Sequence, residues 1–244
     1  MKSLRIAILL AFLVVVLTTR GVWAIASGLP SHDAYVDVNA PTENFDDNEL
    51  EVDASGSLCE PTMIVYMQWD LSSIADTVTI STATLTLTTV LPPQNTSGVS
   101  LTLYETSDGW NEATLTKNNA PAVGAAIETR PAPTANGETV VFNSSALRSY
   151  IAAQALGSGD NKASFALQFS GACTAGLTVA VFADRENLSV GGPNLQLRGP
   201  NAVKRSTFNS FGLAAQGPIV GLLVLGVLGG LVWRRRVVRK GGVA

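Results

Sequence analysis

Asp108 and Glu112 stand four residues apart around Trp110. Glycoside hydrolysis needs two carboxylates beside the scissile bond, one as acid and one as base or nucleophile. Acids that cap turns and solvate a loop have the same spacing, so the pair alone does not define an enzyme. A second acidic run lies between residues 43 and 53: Glu43, Asp46, Asp47, Glu49, Glu51 and Asp53. Calcium takes about six to eight oxygens, mostly carboxylates and backbone carbonyls. Asp46, Asp47 and Asn48 in a loop supply several, with Asp33 or Asp184 expected from a second segment. Alternation over 48–53 puts Glu49, Glu51 and Asp53 on one strand face, where a solvated acidic edge that blocks strand pairing competes with a cation site. The single histidine, His32, has no partners arranged as a triad and is expected in solvent. A Gly-rich phosphate loop and zinc-ligand spacing are both missing. Cys59 and Cys173 are the only cysteines; if the domain is exported, they are expected to form a disulfide.

The elements that must position these groups are short strands. Thr82 to Val90 alternates, with Ala83, Leu85 and Leu87 on one face and threonines on the other. Val99, Leu101 and Leu103 repeat the pattern, as do Phe165, Leu167 and Phe169. Met63, Val65, Met67 and Trp69 share one side of another strand and belong to a core, which turns Tyr66 and Gln68 to the opposite face. Period-2 alternation marks half-buried antiparallel strands. One helix is expected, capped by Ser144 or Ser145, with Leu147, Tyr150 and Ile151 on one stripe and Gly157 at its end. The fold class is therefore all-β, an antiparallel β-sandwich of jelly-roll type with one short helix.

The chain ends have a different character. Lys2 and Arg5 precede an apolar run from Ile6 to Leu17, and small residues follow at Val22-Trp23-Ala24 and Ala24-Ile25-Ala26. This is the pattern of a signal peptide over residues 1–26. Residues 27–200 form the outer domain, 201–218 a linker, 219–233 a transmembrane helix and 234–244 a basic cytoplasmic tail. The apolar run Ile219 to Trp233 is short for a span but lengthens if counted from Phe211. Arg234, Arg235, Arg236, Arg239 and Lys240 follow it, as a positive-inside stop requires. All 19 acids fall within 27–200 with only six bases (Lys117, Arg130, Arg148, Lys162, Arg185 and Arg198), a net charge of −13. Such a surface repels nucleic acid.

The stretch Leu103–Pro121 carries Tyr104, Trp110, Glu112, Thr116, Asn119, Ala120 and Pro121 in a pattern that resembles the DNRLRE-type domain, grouped with the family 96 carbohydrate-binding modules. The family's second Trp is replaced by Lys117. Further matches follow in order at Asp33-Ala34-Tyr35-Val36, Asn44-Phe45-Asp46, Gln68-Trp69-Asp70-Leu71-Ser72-Ser73-Ile74 and Asp184-Arg185-Glu186. The resemblance implies a secreted β-sandwich that binds polysaccharide and makes a structural calcium plausible. Tyr66, Gln68, Trp110 and Arg130 are the candidate ligand residues. Trp110 with Glu112 and Asn119 equally reads as the lock of a long loop on the sandwich. The expected protein is a non-catalytic, membrane-anchored carbohydrate-binding or adhesion module at the cell surface. Its rivals are a structural surface protein that binds no sugar, and a polysaccharide lyase or hydrolase using the 108–112 acids. The −13 charge leaves three options for the ligand: local clustering of Arg130, Arg148, Lys162 and Arg185, a bridging cation, or a neutral sugar.

Overall fold

The computed structural model describes residues 23–199 except 47, 157, 158, 174, 175 and 188, and for 23–27 the backbone alone. Every described residue belongs to one compact unit. The leader up to residue 22, the linker, the span 219–233 and the basic tail lie outside the described residues. Among the described residues no helix is long and apolar enough to cross a membrane.

Among the described residues eleven strands form, and antiparallel pairing arranges them in two sheets. One sheet has the order β1 (Trp23–Gly28), β11 (Asn194–Gly199), β5 (Thr82–Thr88), β8 (Thr139–Phe142). The other runs β10 (Leu177–Ala183), β3 (Glu49–Ser55), β4 (Glu60–Asp70), β9 (Lys162–Ser170), β6 (Ser100–Glu105), β7 (Ala126–Pro131). Strand β2 (His32–Asp37) also pairs with β4, so β4 is flanked by β3 along its first residues and by β2 along the rest. Strand β1 begins inside the stretch taken as leader. A cut after Ala24 leaves Ile25–Gly28 of this strand, and a cut after Ala26 leaves only Ser27 and Gly28.

Apolar side chains of both sheets meet between them. Ala83, Leu85, Leu87, Val140, Phe142, Leu195 and Leu197 meet Leu50, Val52, Val65, Met67, Trp69, Leu101, Leu103, Phe165, Leu167 and Phe182 in one core. Burying a side chain of this size contributes about 1.5–3 kcal/mol. Helix α1 (Ser145–Ala155) links β8 to β9 and inserts Leu147, Ile151 and Ala155 into that core. Ser144 is its cap, accepting the Leu147 N–H at 3.1 Å. Gly157, expected to end the helix, lies outside the described residues. The segment after β5 covers the β10 edge through backbone bonds of Val90 and Gln94.

Two expectations change. The acidic face of β3 is not an edge: β3 lies between β10 and β4, so its neighbours block strand addition without help from charge. Glu49, Glu51 and Asp53 do share a face, opposite Ala183, Val181 and Val179, but Asp53 is buried rather than solvated. The disulfide forms as expected. Cys59 in the β3–β4 turn joins Cys173 in the β9–β10 connection, with 5.0 Å between Cα atoms, closing a separation of 114 residues.

Candidate functional site

The outer face of the larger sheet carries a second, smaller core: Ala34, Val36, Ile64, Tyr66, Trp110, Leu115 and Ala166. Trp110 and Leu115 belong to the connection between β6 and β7, which folds back over the sheet as a cover. Alternation explains why. With Val65, Met67 and Trp69 turned inward, Ile64, Tyr66 and Gln68 face outward and would be apolar or amide surface in water without a lid.

The cover is fastened at each point by a named group. Tyr66 is 1 % exposed, packs edge-on to Trp110 and donates its hydroxyl to the Pro121 carbonyl at 3.0 Å. Gln68 donates to the Asp108 carbonyl at 3.0 Å and to Ser164 Oγ at 2.8 Å. Asn44 donates to the carbonyls of Glu112 and Leu115 at 2.8 and 2.7 Å. Phe45 stacks on Tyr35 beside it, with ring centres 4.9 Å apart. Thr106 donates to the Ala122 carbonyl, tying the two legs together. Within the cover, Asn111 caps a 3₁₀ turn over Glu112–Thr114, and Asn119 bridges the Thr116 N–H and the Thr114 carbonyl.

Beneath the cover lies an ionic cluster. Glu112 sits 2.8 Å from the Arg185 guanidinium and 3.4 Å from His32 Nδ1. Arg185 also pairs with Asp33 at 3.7 Å and with Glu186, and donates to the Ser31 carbonyl. Its own N–H donates to Asp33 at 3.0 Å. A Cβ at Gly192 would collide with the backbone of Asp184 and Arg185, so glycine lets the returning chain press against the turn that presents Arg185. Burial raises Glu112 to about 8, with the neighbouring Asp46 carboxyl adding to the rise and Arg185 opposing it. Burial likewise raises Asp33 to about 7 and Asp184 to about 6. One carboxylate oxygen each of Asp33, Glu112 and Asp184 is buried with no hydrogen-bond partner. His32 is therefore not the solvent residue expected. It stands partly buried between Glu112 and Trp110, with its pKa lowered first by burial and then by Arg185 and Lys162.

The candidate residues separate. Trp110 is in the cover with 8 % of its surface exposed, while Tyr66 and Gln68 lie under it. Arg130 is on β7, paired with Glu128 and Asn143 near the start of α1. Asp108 and Glu112 turn to different neighbours: Asp108 meets Ser164 and Asp160, while Glu112 meets Arg185, His32 and Asp46. Of the residues proposed for a cation, Asp46 stands against Glu112, Asp33 and Asp184 flank Arg185, Asn48 is exposed and Asp47 lies outside the described residues. Asp33, Glu112 and Glu186 offer oxygens within 4.8 Å of one another. Sequence reasoning did not assign Glu112 and Glu186 to this set. The signal that could have found them was their place in ordered motifs at distant points of the chain.

A small cleft opens on the cover itself. About 250 Å³ is enclosed by Gly109, Trp110, Asn111, Thr114, Leu115 and Asn119. No curated protein matches the chain at a significant level. The family profile of the carbohydrate-binding module family 96 matches residues 24–199, from the second residue of β1 to the last of β11. That match takes in every strand and fastening described above, and the chain belongs to carbohydrate-binding module family 96.

Proposed function

We propose that the chain is exported and presents a non-catalytic polysaccharide-binding sandwich at the cell surface, held by the 219–233 segment with its basic tail in the cytoplasm. The observation that carries the binding function is the family match over 24–199. The anchor rests on the apolar run and the arginines that follow it. The non-catalytic reading rests on the family match and on the different neighbours of the two acids, Ser164 and Asp160 for Asp108 and Arg185 and Asp46 for Glu112. The test is a glycan array probed with the full chain in a sugar-free detergent. Retention on one or more polysaccharides, with no change in their chain length, is expected. Binding to none would leave the second reading, a sandwich displayed without a sugar ligand. That reading draws on one fact: no aromatic side chain among the described ones is exposed, so a broad stacking platform is missing.

Calcium is the cation proposed for the acids around Arg185. Three carboxylates with oxygens within 4.8 Å are a hard donor set of the kind calcium takes. The guanidinium holds these same groups, so admitting the ion requires Arg185 to swing clear. A melting temperature that climbs with millimolar calcium and returns with chelator is the expected result, because an ion bound only to the native state stabilises it by mass action. An unchanged melting temperature would leave Arg185 as the only counterion.

A further inference from the structure

Within the proposed binding function, and resting on it, the geometry points to the cleft on the cover as the sugar site and to a single neutral pyranose ring, a chain end or side branch, as what it takes. Size is the first argument. Clefts for drug-sized ligands enclose roughly 300–1,000 Å³. This one encloses about 250 Å³, enough for a single ring and too little for a run of several.

The lining is the second argument. A pyranose has apolar C–H faces and a polar hydroxyl rim. Here the sliver of Trp110 that remains exposed provides the apolar wall, with Leu115 buried behind it. Asn111 and Thr114 are exposed around it and provide amide and hydroxyl groups, while Asn119, with both ends of its amide held within the cover, shapes the rim. Trp110 works as one wall of a slot rather than as an open platform, since all but 8 % of it is buried.

Charge is the third argument and decides the sugar class. None of the six lining residues is ionisable. The domain around them nets −13, which disfavours an acidic sugar. Arg130 and Arg185 are already paired with Glu128 and with Asp33, Glu112 and Glu186, and none of Lys117, Arg148 and Lys162 lines the cleft. Rigidity is the fourth. The Asn111 cap, the Asn119 bridge and the Asn44 clamp fix the walls before any ligand arrives, which lowers the ordering cost of binding.

Gly109 allows the cleft to be filled without removing a fastening: a Cβ there meets no atom within 4 Å. Thr114→Phe fills it from the opposite wall. The experiment compares full-length wild type, Gly109→Leu, Thr114→Phe and a control, Asp76→Leu on the exposed turn between β4 and β5, on an array that carries both neutral and uronate-bearing glycans. Wild type and control are expected to bind neutral glycans, and each filled variant to bind them at least about tenfold more weakly. Filled variants that bind like wild type would overturn the cleft and leave the binding function standing. Wild type that binds only uronates would overturn the neutral class. Wild type that binds nothing would remove the binding function, and the cleft with it. If a filled variant melts early, wild-type NMR decides: the Trp110 indole and the Asn111 side-chain amide must shift on titration with the preferred methyl glycoside, and unmoved signals at both would overturn the cleft.

Discussion

Tyr66 carries a hydroxyl into an otherwise apolar contact and uses it to hold the Pro121 carbonyl. Tyr66→Phe keeps the ring against Trp110 and removes that bond. A loss of about 0.5–1.5 kcal/mol in a urea titration is expected, and an unchanged midpoint would show that water replaces the hydroxyl. Asp53 is the opposite case, a polar group at a cost. It is 3 % exposed, one of its oxygens has no partner, and Glu51 and Asp37 face it with like charge. Burial, reinforced by those two acids, raises its pKa from 3.8 to about 7. The folded chain therefore keeps a proton that the unfolded chain has released, and the stability this proton supports is lost as pH rises from about 4 to about 7. Asp53→Asn should flatten that slope and add on the order of 1 kcal/mol at pH 7.5. Equal destabilisation of the variant at pH 5 and pH 7.5 would mean that Asp53 is ionised and paired. In the sequence both residues were placed on the correct strand face by alternation. What alternation could not tell is that a distant loop returns to bury one and that two strands flank the other.

Strands and their inward faces were legible because period 2 is a local property: Ala83, Leu85 and Leu87 are all buried on β5. Sheet order was not, since the β4 edge is shared by β2 and β3, and nothing within the segment 43–53 records that β10 lies on its other side. The disulfide was legible by exclusion, there being one possible pair. It joins the β3–β4 turn to the β9–β10 connection at one end of the larger sheet. Cys59→Ser with Cys173→Ser is expected to cost about 4–5 kcal/mol for a loop this long in the chain-entropy account. A drop in the denaturant midpoint of the double variant checks it, and a change under about 1 kcal/mol would show that the turns are held by their ladders alone. The cover was half legible. Its ordered residues were visible in the sequence, but their roles come from contacts across tens of residues, as when Asn44 reaches Glu112 and Leu115.

At the scale of the whole molecule, charge and pairing both connect remote parts of the chain. The acids and bases are segregated along it, and within the sandwich the bases Arg130 and Arg185 are used internally. The first and last strands are also neighbours: β1 and β11 run antiparallel with Trp23 opposite Gly199 and Gly28 opposite Leu195. β11 lies between β1 and β5 rather than at an edge. This arrangement matters under load. With the anchor proposed above, the domain would be pulled between its ligand and the segment that follows β11 in the sequence. Force arriving along β11 must slide it past the β5 ladder, and past as much of the β1 ladder as the leader cut leaves, instead of peeling it open one bond at a time. In a single-molecule stretching experiment on the mature domain, deleting what remains of β1 up to Gly28 should lower the force at which it yields, and equal rupture forces would show that β5 alone carries the pull.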